Sequence, residues 1–186
     1  MMLFGSKETF AIETMIEPYL QPPSTAWGRM CIWCDGVSIG DINEEHCGLG
    51  AFEDFERMAL HVESLWSNEF NDMTDIELWN LLDGLLYGYH GDIELKDDRT
   101  IDQMRADSSK YGKYNFLTNW GEQFDRNGKS FIFHFPKGRI KILNRNLPKE
   151  KGISLSTSTE AFCGVIEEAV SWFKQQQHVL RGARHA

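Results

Sequence analysis

Asp35-Gly36 separates two runs of alternating apolar residues, Trp27 to Cys34 and Val37 to Ile39, and both residues of that pair tolerate positive φ. A dipeptide of this kind makes the two-residue hairpin whose twist matches its flanking strands, so this part of the chain is committed to antiparallel pairing. Upstream, Phe10, Ile12 and Ile16 alternate with Ala11, Glu13 and Glu17, the period-two signature of a strand with one face on a core. With a turn-rich Pro18 to Ser24 between them, the first forty residues read as a three-stranded antiparallel meander.

The period then changes. Leu49, Phe52, Phe55, Ala59, Val62 and Trp66 recur every three or four residues with Glu53, Asp54, Glu56 and Glu63 between them, which describes an amphipathic helix with an acidic outer face. Thr74-Asp75-Ile76-Glu77 fits a capping box and opens a second helix. Its stripes Ile76, Trp79, Leu82, Leu86 and Leu78, Leu81, Leu85 place it between two layers. From Gly88 to Lys113 the periodicity is lost, and the segment reads as a long polar surface connection with room for a short strand at Asp92 to Leu95 or a helical turn at Ile101 to Arg105.

Strands resume at Tyr114 to Trp120, which lead toward the hairpin signal Asn127-Gly128. Beyond it Phe131, Phe133 and Phe135 alternate with Ser130, Ile132 and His134, and Pro136-Lys137-Gly138 turns the chain into Arg139 to Leu143. Thr157-Ser158-Thr159-Glu160 reads as another capping box, and Phe162, Val165, Ile166, Ala169 and Phe173 mark a closing helix that runs to about Gln177, before a frayed basic tail at 179–186. The expectation is an α+β protein, with an antiparallel sheet (N-terminal meander plus later hairpins) packed with about three α-helices. At 41% hydrophobic content its 186 residues bury a substantial core, here expected as a single domain over 1–186.

Charge is distributed unevenly along the chain. Residues 35 to 102 hold eighteen Asp or Glu against three Lys or Arg, a net of -15, while residues 1–34 carry -1 and residues 103–186 carry +7. A concentrated negative field repels nucleic acid and anionic membrane surfaces and steers a basic protein into contact, although acidic runs also serve simply as solvated helix faces. No apolar run approaches a membrane span, and the N-terminus lacks the basic and apolar regions of a signal peptide, so the expected address is the cytoplasm. The partner classes expected are therefore a basic protein, no nucleic acid and no membrane.

Little in the chain points to catalysis. The six histidines are scattered, and His90, between Gly88 and Asp92, is the best candidate for chemistry. Cys31-Ile32-Trp33-Cys34 with His46-Cys47 offers four soft ligands, but residues three apart on a strand point to opposite faces, so the cysteines read as core residues rather than a metal site. Gly48-Leu49-Gly50 lacks the other elements of a phosphate loop, and Asp92 to Asp98 lacks the register of a calcium loop. No cofactor is expected. A compact, aromatic-rich acidic chain without a recognisable site is what a stoichiometric binding protein looks like; the alternatives are a small enzyme centred on His90, or a ligand-binding or scaffold module.

The opening Phe4-Gly5-Ser6-Lys7-Glu8-Thr9-Phe10-Ala11-Ile12-Glu13, followed by Trp27-Gly28-Arg29-Met30-Cys31-Ile32-Trp33 and Gly36-Val37-Ser38-Ile39-Gly40-Asp41, resembles the start of bacterial polymorphic-toxin immunity proteins of the immunity protein 42 family. The resemblance implies a small cytosolic protein without catalytic residues that binds and blocks the C-terminal domain of a cognate toxin, as in contact-dependent growth inhibition. Many such toxins are nucleases, which are basic because they hold a phosphate backbone, and an acidic inhibitor suits them. The expected toxin-binding residues are Asp72, Asp75, Glu77, Asp83, Tyr89, Asp92, Glu94, Asp97 and Asp98, with Trp66, Trp79 and Tyr87 as further aromatic anchors wherever they are exposed.

Overall fold

The computed structural model describes residues 1–17, 19, 27–43, 47–91, 93–121, 124, 128–145 and 152–182. Pro18 to Ser24 (except residue 19), His46, Asp92, Asn127 and the last four residues of the tail lie outside the described residues. The first sheet runs β1 (Met2–Gly5), β2 (Phe10–Ile16), β3 (Trp27–Cys34), β4 (Val37–Ile39) in chain order, every pair antiparallel, with β5 (Cys47–Gly48) paired to the start of β3. Asp35 and Gly36 take φ of 49° and 74°, the left-handed pair that the hairpin demands. The meander gains a strand at its edge, because Met2 to Gly5 pairs with β2 although it shows no alternation of its own.

Beyond the sheet, α1 (Ala51–Leu60) buries Phe52, Phe55 and Met58, and two 3-10 turns at Val62–Ser64 and Asn68–Phe70 carry Val62, Leu65 and Phe70 into the core. The expected helix therefore stops at Leu60, where His61 leaves helical geometry at φ -118° and ψ 20°. α2 (Asp75–Tyr87) opens on the expected box, with Thr74 and Glu77 exchanging bonds, and closes on Gly88 in the left-handed region. β6 (Tyr89–His90) and β7 (Ile93–Glu94) form a small hairpin after it. The polar connection expected from there to Lys113 is corrected: α3 (Ile101–Tyr111) is an 11-residue helix capped by a second box, Thr100 with Gln103.

The second sheet has the order β11-β10-β9-β8, built from β8 (Asn115–Phe116), β9 (Lys129–Phe135), β10 (Arg139–Arg145) and β11 (Gly152–Ser158). β8 is far shorter than the expected strand to Trp120, since Leu117 and Asn119 both take a φ of 65° and break the ladder. Further along that edge of β9, past the start of β8, the Leu65 carbonyl accepts the His134 N–H at 2.7 Å. β11 was not expected, and its presence moves the last helix start by one residue: Ser158 accepts the Ala161 N–H at 3.1 Å, and α4 spans Thr159–Gly182. That helix continues through part of the expected tail.

α4 lies against both sheets. Phe162 meets Phe10 at 4.9 Å between ring centroids and Trp172 meets Phe4 at 5.7 Å, while Phe173 stacks on Phe52 of α1 at 4.6 Å. The approach is close enough to require Gly5, whose φ is +85° and where a Cβ would sit 2.7 Å from Val165 Cγ2. Four α-helices are thus present among the described residues, in an α+β arrangement of antiparallel sheets. Among the described residues, no helix is long and apolar enough to cross a membrane.

Candidate interaction surface

The segment that carries the family resemblance builds scaffold. Glu13, facing away from Ile12 and the core, is 6% exposed and its Oε2 accepts from Lys7 Nζ and from Trp33 Nε1, both at 2.7 Å. The Lys7 ammonium also lies 4.2 Å from the Trp33 ring centroid. Burial pushes the Glu13 carboxyl up, but the bonds from Lys7 and Trp33 outweigh it and hold the group below its ordinary range. Gly28 admits no side chain, since a Cβ there would meet the Met15 carbonyl oxygen at 2.1 Å. These motif residues lock β2 to β3 and to the connection that precedes β2.

Cys31 lies beside Glu13, and burial followed by that carboxylate pushes its thiol up to about 12; Cys34 is in the core on the other face, also pushed up by burial. Thiols so placed are poor nucleophiles and poor metal ligands. Among the described residues no three His, Cys, Asp or Glu converge as metal ligands. His90 is exposed on the β6–β7 hairpin, and the Asp92 expected to orient it lies outside the described residues.

The acidic residues of 35–102 divide into those that the fold consumes and those that it displays. Asp83 is corrected outright as a contact residue: it is fully buried, its Oδ2 accepts the Gly91 N–H at 2.8 Å, and its Oδ1 accepts from Lys129. Lys129 in turn sits 4.9 Å and 4.7 Å from the ring centroids of Tyr87 and Tyr89. Asp83 therefore ties α2 to the hairpin and to β9. Asp75 accepts from Lys141 at 2.6 Å, and the Thr74 N–H and hydroxyl occupy Glu77 and hold its carboxyl low. Asp72, Glu94 and Asp98 are exposed.

Among the aromatic candidates, Trp79 is buried with its Nε1 aimed at the Lys129 carbonyl, Trp66 packs on Phe70 and Phe135, and the Tyr87 hydroxyl donates to Asn115 at 2.9 Å. Tyr89 remains half-buried beneath Lys129.

What the structure assembles instead is a surface over α2, the β6–β7 hairpin and α3, organised by Arg99. Its guanidinium donates to the Gly84 and Leu85 carbonyls at 3.2 and 3.1 Å, to Asp97 at 2.6 and 2.9 Å, and to Asp107 of α3 at 2.6 Å. Those bonds hold the Asp97 carboxyl down at about 2 and the guanidinium above its ordinary value. Between the three elements lies a cleft of about 520 Å³ lined by Leu81, Leu85, Leu95, His90, Asp98 and Gln103.

Around that cleft Ile93 is 67% exposed and Ile101 64%, and from 101 to 110 every residue of α3 is exposed except Asp107. The exposed carboxylates Glu94, Asp98 and Asp102 lie on the hairpin, the segment after it and the first turn of α3. Sequence reasoning missed Ile93, Ile101, Asp102 and Arg99. The one signal that could have found the helix was the Thr100-x-x-Gln103 spacing.

No curated protein matches the chain. A crystal structure of CdiI from Burkholderia dolosa AUO158 is similar to it with a TM-score of 0.60 at 14% identity, covering 91% of this chain and 99% of that one, so the two share a fold. The family model for immunity protein 42 matches residues 2–172. That match extends the resemblance of the first forty residues over nearly the whole length: the chain belongs to the immunity protein 42 family, and it is a toxin-neutralising immunity protein, not an enzyme.

Proposed function

We propose that this chain acts in the cytoplasm, where it binds the C-terminal domain of a cognate antibacterial toxin of a contact-dependent growth inhibition system, one to one, through the surface formed by α2, the β6–β7 hairpin and α3. The toxin domain is basic, and a nuclease is the class that fits best, because a phosphate-binding cleft complements a protein of net charge -9. The contact residues are Asp72, Glu94, Asp98, Asp102 and Tyr89, with Ile93, Ile101 and Met104 supplying apolar contact. Asp75, Glu77 and Asp97 contribute chiefly by shaping the elements that carry the others.

The observation that carries this reading is α3 itself. A polar helix with almost all of its surface in water gains little from packing, yet Arg99 and a complete capping box hold it in place. A rigid, exposed helix with an apolar edge and acidic flanks is suited to a preorganised interface.

The test is calorimetry and stopped-flow binding with the toxin domain encoded immediately upstream, using wild type and Asp98→Lys/Asp102→Lys. Both positions are exposed, and neither supports the fold as Asp97 does through Arg99. The double reversal should slow association about tenfold or more at low salt and relieve toxin inhibition in proportion. An unchanged on-rate would remove this surface from the interface.

A further inference from the structure

A second groove lies between α1 and α4 and shares no lining residue with the cleft beside α3. It has a volume of about 550 Å³ and an apolar floor of Ala59, Leu60, Ile166 and Val170. Leu60 is 74% exposed, so the last turn of α1 presents a large aliphatic side chain to water. Carboxylates border the floor: Glu56 and Glu167 line the groove, and Glu63, three residues beyond Leu60, is exposed with its Oε2 3.4 Å from His134 Nδ1; Glu63 and Glu167 both add to the burial that raises the Cys163 thiol. Among the lining residues Lys174 is the only cation, and Glu56 already holds it in an ion pair.

We infer that the groove between α1 and α4 receives a basic amphipathic helix of the toxin domain, its apolar face on Leu60, Ile166 and Val170 and its Lys or Arg residues beside Glu63 and Glu167. The inference rests on the toxin-neutralising function and adds a second contact to the one beside α3. A seam between two helices presents a row of apolar positions that a third helix matches with residues at i, i+3, i+4 and i+7. The surplus of carboxylate specifies the charge of that helix, because an acidic segment would meet uncompensated repulsion. The same argument opposes a second copy of this chain, since an isologous contact would set Glu56, Glu63 and Glu167 against their own counterparts. A toxin domain that reaches both surfaces crosses α1, whose other flank faces Gly112 to Asn115 just beyond α3.

The experiment uses the full chain and the toxin domain encoded upstream of it, with Glu63→Lys/Glu167→Lys and, separately, Leu60→Asp, all at positions exposed to solvent. Each variant should weaken binding tenfold or more with unchanged thermal unfolding. In a Cys47→Ser background, where Cys31 and Cys34 are buried, alkylation of Cys163 should be at least several-fold slower in the complex than in the free protein. Normal binding by both variants with Cys163 unprotected would overturn the groove while leaving the toxin-neutralising function standing. A wild-type chain that failed to bind the toxin at all would bring down the pairing and the groove together. Self-association by light scattering that Leu60→Asp abolishes would assign the groove to a second copy and overturn the inference as well.

Discussion

Glu13 shows how a single side chain fixes what a motif is for. It is a buried carboxylate on a strand face, a position that burial alone would penalise heavily, and it is tolerated because Lys7 and the Trp33 indole both donate to it. Replacing it with alanine strands the Trp33 Nε1–H and the Lys7 ammonium, and should cost about 2–3 kcal/mol in chemical denaturation without changing which toxin is bound. Glu13→Gln keeps the shape and removes the charge, so its deficit relative to wild type should depend on pH. The folded carboxyl titrates below its ordinary value of 4.5, so the stabilisation is fully present above that value. It is lost as pH falls through the lower folded value. Urea midpoints of the two proteins should differ at neutral pH and converge in acid; a constant difference from pH about 7 to about 3 would mean that the ionised form has no special role.

Among the elements, legibility followed the source of each one's stability. β2, β3 and β9 bury one face or both, so their apolar alternation and turns expose them in the sequence, and the Thr74 box announces α2 because leucines follow it at helical spacing. α3 buries only Tyr111, and without a buried face there is no periodicity to read; its stability comes from caps and from Arg99, which lies outside the helix and joins it to α2 and to Asp97. Asp83 was misassigned for a related reason, since nothing local distinguishes an acid paired with a lysine 46 residues away from one displayed to solvent. The same logic makes α3 the element most sensitive to one substitution. Arg99→Ala should raise amide exchange in Ile101–Tyr111 tenfold or more, about 1.4 kcal/mol of local stability, while β2 and β3 stay protected. Arg99→Lys should recover little, because an ammonium cannot fork between Asp97, Asp107 and two carbonyls. Exchange in α3 that is indifferent to both changes would mean that packing against α2 suffices to hold it.

At the scale of the molecule, the charge asymmetry along the chain becomes partly an internal complementarity. Glu56, Glu69, Asp75 and Asp83 from the acidic stretch pair with Lys174, Lys110, Lys141 and Lys129 from the basic one, so folding brings the two halves of the sequence together sign against sign. Such pairing leaves the net charge at -9 and sets each of these cations against a carboxylate, so the unpaired acids facing water are the ones a partner meets. Salt should then separate the two uses of charge. Exposed pairs such as Glu69 with Lys110 are screened by water and add little to stability, and the Asp83 carboxylate is shielded from solvent, so stability should respond weakly to ionic strength. Toxin association is different, because steering acts through water over distances comparable to the Debye length, which shrinks from roughly 14 Å at about 0.05 M to roughly 4 Å at about 0.5 M. Over that range the association rate should fall tenfold or more while dissociation changes by less than about threefold, as stopped-flow mixing would show. If instead the loss appeared mainly in dissociation, the acidic groups would be acting as short-range contacts within the bound interface and the long-range field would be a by-product of the fold.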